Sequence, residues 1–292
     1  MQEDSDQQVL LCSDLDRTIL PNGPQPESPL ARPLLRALAE RQDVTLAYVS
    51  GRDVSLLQQA IRDYQIPLPD YAIGDVGSTI YRLDEGRWQV WSDWHETIAP
   101  DWGGRHAAEL MTSLSDLEML QLQEPEKQSR FKLSYYTPVQ LDATALTTDI
   151  ESRFAAQGIR ATAIWSIDEA AGTGLLDIVP ASATKLGAIR FLMEHAGFGR
   201  HQTVFAGDSG NDLPVLVSEI PAVLVRNADE HVRGELAAML GGREAETVYR
   251  ARGDFLGMNG YYSAGVLEGV VHYQPHLRPW LEGQADSLTS AR

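Results

Sequence analysis

Short apolar runs alternate with amphipathic runs near both ends of the chain, and this alternation constrains the fold more than any other feature. The first series is QVLLCS, LARPLLRALAERQ, VTLAYVS, VSLLQQAIRDY and YAIGD. A second series follows late in the chain: TKLGAIRFLMEHAG, QTVFAGD, DLPVLVSE, PAVLVR and VRGELAAML. Short apolar runs predict buried strands, and longer amphipathic runs predict helices. Because strands that alternate with helices form parallel sheets covered by helices, the two series are expected to build one α/β domain.

The segment between the two series has a different pattern. RWQVWSDW, RFKLSYYT, IRATAIWSI and GLLDIV predict strands of an antiparallel sheet, and RHAAELMTSLSDLEML and TALTTDIESRFAAQG predict two helices. We therefore predict a core formed by residues 1–84 and 180–292, and an inserted α+β cap domain formed by residues 85–179. At least two of the tryptophans Trp88, Trp91 and Trp94 are expected to pack in a hydrophobic core.

The charge balance disfavours some classes of partner. The chain has 24 basic and 41 acidic side chains, a formal net charge of −17, which disfavours binding to nucleic acid or to an anionic membrane.

Its one cysteine, Cys12, excludes an internal disulfide and suits a reducing compartment. The polar start MQEDSDQQ does not resemble a signal peptide, and no apolar run approaches the ~20 residues of a membrane span. We expect a cytoplasmic protein.

Chemically active side chains follow three predicted strands. Ligands of parallel sheets bind at the carboxyl ends of the strands, where these loops begin. The side chains are an acidic pair, a hydroxyl followed by glycine and arginine, and a second acidic cluster that includes an amide: Asp14, Asp16, Ser50, Gly51, Arg52, Asp208, Asn211 and Asp212.

This set suits phosphoryl transfer assisted by a metal. Clustered carboxylates repel one another unless a cation joins them, and ligands that are all oxygen select a hard ion such as Mg²⁺. Asp14 is the expected nucleophile, which would form an aspartyl-phosphate, and Asp16 the expected general acid and base. The expected contributors to the metal site are carboxylates of the two acidic clusters and the main-chain carbonyl of Asp16: Asp14, Asp16, Asp208 and Asp212.

The phosphate group needs hydrogen-bond donors and positive charge. We expect Ser50 and the backbone N–H of Gly51 to bind it, and Lys185, at the start of a predicted helix, to neutralise it together with Asp14. Asn211 and Asp212 would position Lys185. Considered singly, Ser50 also suits a neighbour of a helix N-cap, and Lys185 a solvated helix face. A surface or interdomain salt bridge explains Arg52 about as well as a substrate contact does.

Four motifs give the chain a family resemblance. DLDRT, VSGR, Lys185 and GDSGND occur in the order found in the haloacid dehalogenase (HAD) superfamily of aspartyl-phosphate phosphatases, which the chain resembles. The insertion is similar to the α/β cap of a subgroup that includes sugar phosphatases and phosphomannomutases. The resemblance is closest to sucrose-phosphate phosphatases, and four stretches carry it: GDVGSTIY before the insertion, WSDWHETIAPDW at its start, RFKLSYY within it and GDSGNDLPVL after it. The tail after about residue 250 matches less clearly. Arg17 stands where the family often has glycine, and we expect it to lie outside the carboxylate chemistry.

The resemblance implies a Rossmann-like parallel-sheet HAD core with a cap, and a Mg²⁺-dependent phosphatase of a sugar phosphate, first of all sucrose-6-phosphate. It adds Thr18 to the expected phosphate-binding residues. Other disaccharide or osmolyte phosphates, a phosphomutase and a catalytically idle binding protein remain alternatives. The expected partners are a small sugar phosphate and a sugar-phosphate synthase of the same pathway, and the expected state is a monomer or weak dimer.

The inserted segment is expected to recognise the sugar. In RFKLSYY, the two-residue repeat of a strand would put Arg130, Lys132 and Ser134 on one face. Asp177 in LLDIV could accept a hydrogen bond from a sugar hydroxyl on the same side. The alternative is a solvated outer face of the cap sheet.

Overall fold

The computed structural model describes residues 7–168, 171–241 and 248–290. Within these ranges the strands, in chain order, are β1 (Val9–Ser13), β2 (Val44–Val49), β3 (Tyr71–Gly74), β4 (Thr79–Asp84), β5 (Arg87–Val90), β6 (Gln121–Leu122), β7 (Leu133–Thr137), β8 (Ala161–Asp168), β9 (Thr173–Pro180), β10 (Thr203–Gly207), β11 (Ala222–Leu224) and β12 (Val248–Arg250).

The α-helices of the same ranges alternate with the strands of both halves of the chain. They are α1 (Ala31–Ala39), α2 (Val54–Tyr64), α3 (Ser92–Ile98), α4 (Ala107–Leu110), α5 (Ala143–Ala155), α6 (Lys185–Ala196), α7 (Leu213–Leu216), α8 (Glu230–Leu240), α9 (Ser263–Tyr273) and α10 (Arg278–Ser290).

The strands form two sheets. The larger sheet has the order β12-β11-β10-β1-β2-β3-β4-β5, and it is parallel from β12 to β3. The smaller sheet is antiparallel, with the order β6-β7-β9-β8. The predicted α/β class with a large parallel sheet is confirmed.

Helices cover both faces of the larger sheet, which explains the unbroken apolar sequence of β1. Successive residues of a strand point to opposite faces. Leu10 and Cys12 pack with Ile189 of α6 in one cluster, whereas Leu11 packs with Leu34 of α1 in the other. All five residues of β1 are buried. Because β1 is buried on both faces, the polar side chains that follow its carboxyl end are held at a fixed place at the edge of the sheet.

The pairing of β5 corrects the predicted boundary of the insertion. β5 pairs with β4 in the larger sheet, from Tyr81 with Val90 to Asp84 with Arg87. A boundary at residue 85 is therefore too early. We propose that the inserted segment begins after β5.

Two local predictions between residues 85 and 179 were wrong. RWQVWSDW contains strand β5 and then the start of α3, so its second half is helical. RHAAELMTSLSDLEML forms only α4 followed by a short 3₁₀ turn. There Thr112 Oγ1 donates to Glu109 O at 3.3 Å and Ser115 Oγ donates to Thr112 O at 2.9 Å. Such bonds from short side chains to the backbone compete with a continuing helix.

The aromatic prediction holds. Trp91 and Trp94 are buried in the hydrophobic core, and Trp88 packs at an angle against Tyr81. The amphipathic run VSLLQQAIRDY forms helix α2, as predicted. Among the described residues, no helix combines the length and apolar character needed to cross a bilayer.

Candidate active site

Adjacent strands bring the predicted site residues together. β10, β1 and β2 are neighbours in the larger sheet, and their carboxyl ends open onto one cavity of about 380 Å³. The backbone fixes the start of two of the loops: Asp14 N donates to Ala206 O at 2.9 Å, and Ser50 N donates to Ile73 O at 2.8 Å. The cavity is lined by residues from all three strand ends: Asp14, Asp16, Arg17, Ser50, Gly51, Arg52, Leu56, Asp208, Ser209 and Asn211.

Lys185 connects the two acidic clusters. It is the first residue of α6, whose N-cap Thr184 accepts a hydrogen bond from Gly187 N at 2.9 Å. Its Nζ lies 2.7 Å from Asp14 Oδ1, 2.7 Å from Asp212 Oδ1 and 3.0 Å from Asn211 Oδ1. Burial opposes the charge of Lys185, but the two carboxylates outweigh it and raise its pKa. Lys185 is therefore a charged, fixed residue, and the solvated-face alternative is excluded.

A compact group of carboxylates lies beside Lys185. Asp14, Asp208 and Asp212 are buried, and each offers an oxygen within 4.8 Å of the others. Burial, together with the charges of Asp212 and Asp208, raises the pKa of Asp14 to about 8 even though Lys185 lowers it. Burial and Asp212 raise the pKa of Asp208 to about 6. A divalent cation would favour the ionised forms, so this donor set fits a hard ion such as Mg²⁺.

The oxygens of these carboxylates are not equally available. Asp212 Oδ1 contacts Lys185, and Asp212 Oδ2 accepts from the backbone N–H groups of Asp208 and Ser209, both at 3.1 Å. Asp208 Oδ1 accepts from Thr18 Oγ1 at 3.2 Å. The fully buried Thr18 thus contacts an acidic side chain of the site, and its role on phosphate stays a prediction.

Asp16 faces a different cation. Arg52 donates to both of its oxygens, Nε to Oδ2 at 2.8 Å and Nη2 to Oδ1 at 2.6 Å, and Asn22 Nδ2 donates to Oδ1 at 2.7 Å. Burial acts to raise the pKa of Asp16, but the hydrogen bonds from Arg52 lower it overall. Arg52 thus forms a salt bridge inside the site, between two loops of the larger sheet, and not the surface or interdomain salt bridge of the alternative. Its contact with substrate stays a prediction.

Ser50 does not cap helix α2. Asp53 caps α2 by accepting from Leu56 N at 3.0 Å, whereas the Ser50 hydroxyl oxygen accepts from Arg52 N at 3.2 Å. Nothing lies within 4 Å of a Cβ placed on Gly51, which leaves its backbone open toward the cavity. The predicted phosphate donors are thus at the cavity wall.

Three of the four predicted sugar-recognition residues lie together, and Arg130 does not. Ser134 Oγ donates to Asp177 Oδ1 at 2.5 Å, and Lys132 Nζ lies 3.9 Å from the same oxygen. Arg130 lies elsewhere, because Ser129 and Lys132 form a tight turn through hydrogen bonds of 3.1 and 3.4 Å and β7 begins only after it. The shared strand face predicted for Arg130 was therefore wrong. Its Nε donates to His106 Nδ1 at 3.3 Å.

Some residues of the site were missed from the sequence. Lys132 Nζ also lies 3.5 Å from Asp75 Oδ1, and Asp75 follows β3. The rule that picked the other strand ends would also have found Asp75. Asn22 and Asn227, which bind the loop after β1, carry no comparable local signal.

The comparison with known families decides the assignment. Residues 7–274 match the family model of sucrose-6F-phosphate phosphohydrolase. The chain belongs to this family. It is therefore a phosphoric monoester hydrolase of the HAD superfamily, as the four motifs predicted.

Similar proteins are consistent with the family. The chain is 56% identical over 276 residues to a protein of Nitrosococcus oceani assigned to the HAD-like hydrolases, covering 94% of this chain and 74% of that protein. It is 29% identical over 220 residues to the mannosylfructose-phosphate phosphatase of Agrobacterium fabrum, covering 75% and 83%. The crystal structure of a sucrose-phosphatase from Synechocystis, in complex with sucrose and phosphate, superimposes with a TM-score of 0.67 and 26% identity, covering 91% and 98%.

Proposed function

We propose that this enzyme is a Mg²⁺-dependent phosphatase that hydrolyses a disaccharide phosphate through an aspartyl-phosphate on Asp14. The first candidate substrate is sucrose-6-phosphate. The contact set of Lys185 supports the proposal best, because one ammonium holds Asp14 Oδ1 and Asp212 Oδ1 at 2.7 Å beside the cavity. A fixed positive charge beside a carboxylate is the arrangement that in-line attack on phosphorus requires.

The residues divide the reaction between them. An oxygen of Asp14 attacks phosphorus, the bond from phosphorus to the sugar oxygen breaks, and Asp16 donates a proton to that oxygen. Asp16 then takes a proton from the water that hydrolyses the aspartyl-phosphate. Ser50, the Gly51 N–H and Lys185 bind the phosphoryl oxygens. Because Arg52 holds Asp16 ionised, Asp16 must separate from Arg52 and take up a proton from solvent before it can donate that proton to the sugar oxygen.

The residues that would hold Mg²⁺ follow from their contacts. Asp14 and Asp208 would bind it directly, with the main-chain carbonyl of Asp16 as a further ligand, and Asp212 would act through water because both of its oxygens already accept hydrogen bonds. When bound, Mg²⁺ supplies charge that neutralises the transferring phosphoryl group.

Substrate choice is assigned to the inserted segment. Lys132, Ser134 and Asp177 form a polar cluster that also touches Asp75 of the larger domain, so it lies where the two parts meet. Sucrose-6-phosphate is favoured by the family match, and the mannosylfructose-phosphate phosphatase favours a second candidate, another disaccharide phosphate. A phosphomutase remains the alternative within the superfamily.

We further propose a cytoplasmic enzyme, monomeric or weakly dimeric, that takes its substrate from a sugar-phosphate synthase. The buried, unpaired thiol of Cys12 suits a reducing compartment.

Release of inorganic phosphate from a panel of substrates tests the function. We expect the highest kcat/KM for sucrose-6-phosphate or another disaccharide phosphate, a loss of activity with chelator that Mg²⁺ restores, and background turnover in Asp14→Asn with the fold retained. Formation of an isomeric sugar phosphate without free phosphate would identify a phosphomutase. Substantial turnover by Asp14→Asn would refute the aspartyl-phosphate.

A further inference from the structure

Arg17 adopts a backbone conformation that residues with a side chain avoid. Its φ is +58°, in the left-handed region, where the Cβ atom crowds the backbone. Two asparagines hold it there: Arg17 N donates to Asn22 Oδ1 at 2.8 Å, and Asn227 Nδ2 donates to Arg17 O at 2.6 Å. Strained residues cluster at functional sites, which motivates the question of what the side chain of Arg17 does there.

The side chain of Arg17 lies against the acidic cluster, which corrects the expectation that it stays outside the carboxylate chemistry. Its Nε is 3.4 Å from Asp208 Oδ2, and its Nη2 donates to Asn227 O at 3.2 Å. Although Nε is buried, it has no hydrogen-bond acceptor among the described residues, so its contact with Asp208 is one of charge. Arg17 also lines the cavity.

Two nearby cations contact other carboxylates. Arg52, which also lines the cavity, is paired with Asp16, and Lys185 contacts Asp14 and Asp212. Arg17 instead faces Asp208, the carboxylate that would bind Mg²⁺ directly.

On the basis of the proposed function, we infer that the fixed positive charge of Arg17 weakens Mg²⁺ binding at Asp208 and strengthens binding of the phosphate group. A guanidinium repels a divalent cation held by the carboxylate it contacts, and it attracts the phosphate dianion that enters the same cavity. The two effects have opposite signs, which a loss of structure cannot imitate.

Calorimetric titration of the full chain, first with Mg²⁺ alone and then with inorganic phosphate at saturating Mg²⁺, tests this inference. Arg17→Gln keeps the Cβ and removes the charge, and Arg17→Lys keeps the charge. We expect the Mg²⁺ Kd of Arg17→Gln to fall by about three- to thirtyfold at low ionic strength, and the difference to shrink with salt. Its phosphate Kd should rise by a similar factor, while Arg17→Lys stays near wild type.

A matched variant controls for net charge. Arg153→Gln removes a half-buried arginine of α5 that pairs with Asp116 and Asp149, so both Kd values should stay unchanged. Arg17→Gly, which relieves the left-handed strain, gives a second folded variant if Arg17→Gln is unstable. Unchanged Kd values in Arg17→Gln, or weaker binding of both ligands, would overturn the inference and leave the proposed function intact. No binding of Mg²⁺ by the wild type would overturn the proposed metal dependence and this inference with it.

Discussion

Lys127 Nζ lies 2.8 Å from Asp53 Oδ2, and this ion pair joins the inserted segment to the first turn of α2. The other oxygen of Asp53 caps α2 by accepting from Leu56 N. Burial acts to raise the pKa of Asp53, but Lys127 and the helix N–H lower it overall. One carboxylate therefore fixes the helix that follows the Ser50 loop and also holds the segment that would cover the substrate.

The two roles of Asp53 can be separated by two substitutions. Asparagine caps helices about as well as aspartate, so Asp53→Asn should lose only the ion pair and cost less than about 1 kcal/mol of unfolding free energy. Asp53→Ala should cost about 1 kcal/mol more, measured by urea denaturation. The same two substitutions at Asp229 provide the control, because Asp229 caps α8 by accepting from Val232 N at 2.9 Å. Equal losses in Asp53→Asn and Asp53→Ala would contradict the capping role.

Arg52 should set the charge of Asp16. Without the two hydrogen bonds of Arg52, burial is left to act on Asp16, so its pKa should rise in Arg52→Ala. Carboxyl ¹³C NMR titration of the chelated protein measures this pKa, with Asp16→Asn to assign the signal. Arg52→Lys, which cannot donate to both oxygens, should show a smaller rise. An unchanged Asp16 pKa in Arg52→Ala would show that the salt bridge does not govern the acid.

Asp208 should make stability depend on pH. Its pKa is raised from 3.8 to about 6, so its contribution to stability is present below pH 4 and is lost as the pH rises through 6. In chelator, Asp208→Asn should match wild type near pH 4 and exceed it by about 1–3 kcal/mol at pH 7 to 8, measured by urea denaturation.

Mg²⁺ should reverse that order. A ligand that binds only the folded state stabilises it, so added Mg²⁺ should raise the Tm of wild type and leave Asp208→Asn nearly unchanged. A difference in unfolding free energy that does not depend on pH would contradict the raised pKa of Asp208. Equal stabilisation of the two proteins by Mg²⁺ would contradict its role as a metal ligand.

The sequence predicts the parts of this site that depend on local pattern. Asp14, Ser50 and Asp208 each follow an apolar run that predicts a strand. Because the carboxyl ends of parallel strands meet at one edge, the three side chains are expected to lie together once their strands are neighbours. Lys185 is found in the same way, as the first residue of an amphipathic run.

The remainder depends on contacts that local pattern does not encode. Lys127 and Asp53 are 74 residues apart and meet through tertiary packing. Arg130 was misplaced because two backbone hydrogen bonds close a turn at residues 129–132, and these override the alternation of the side chains. The contact of Arg17 with Asp208 requires a left-handed backbone that arginine rarely adopts, so the residue type itself argued against it.

Lys132 gives the sharpest test of where the sugar is recognised. It is 4% exposed, and its ammonium lies between Asp75 of the larger domain and Asp177 of the inserted segment. Lys132→Met keeps most of the packing and removes the charge. A lost hydrogen bond to a charged group costs about 1.5–3 kcal/mol, so kcat/KM for the disaccharide phosphate should fall by about ten- to hundredfold.

The comparison substrate is p-nitrophenyl phosphate, which has no sugar hydroxyls, and its kcat/KM should stay within about twofold of wild type. Lys127→Met is the matched control, because it removes the same charge from the same segment and breaks an ion pair that also reaches the larger domain. It should change kcat/KM for both substrates by the same factor, through closure of the inserted segment. If Lys132→Met also lowers both substrates equally, Lys132 supports the contact between the two parts, and sugar recognition must lie elsewhere in the inserted segment.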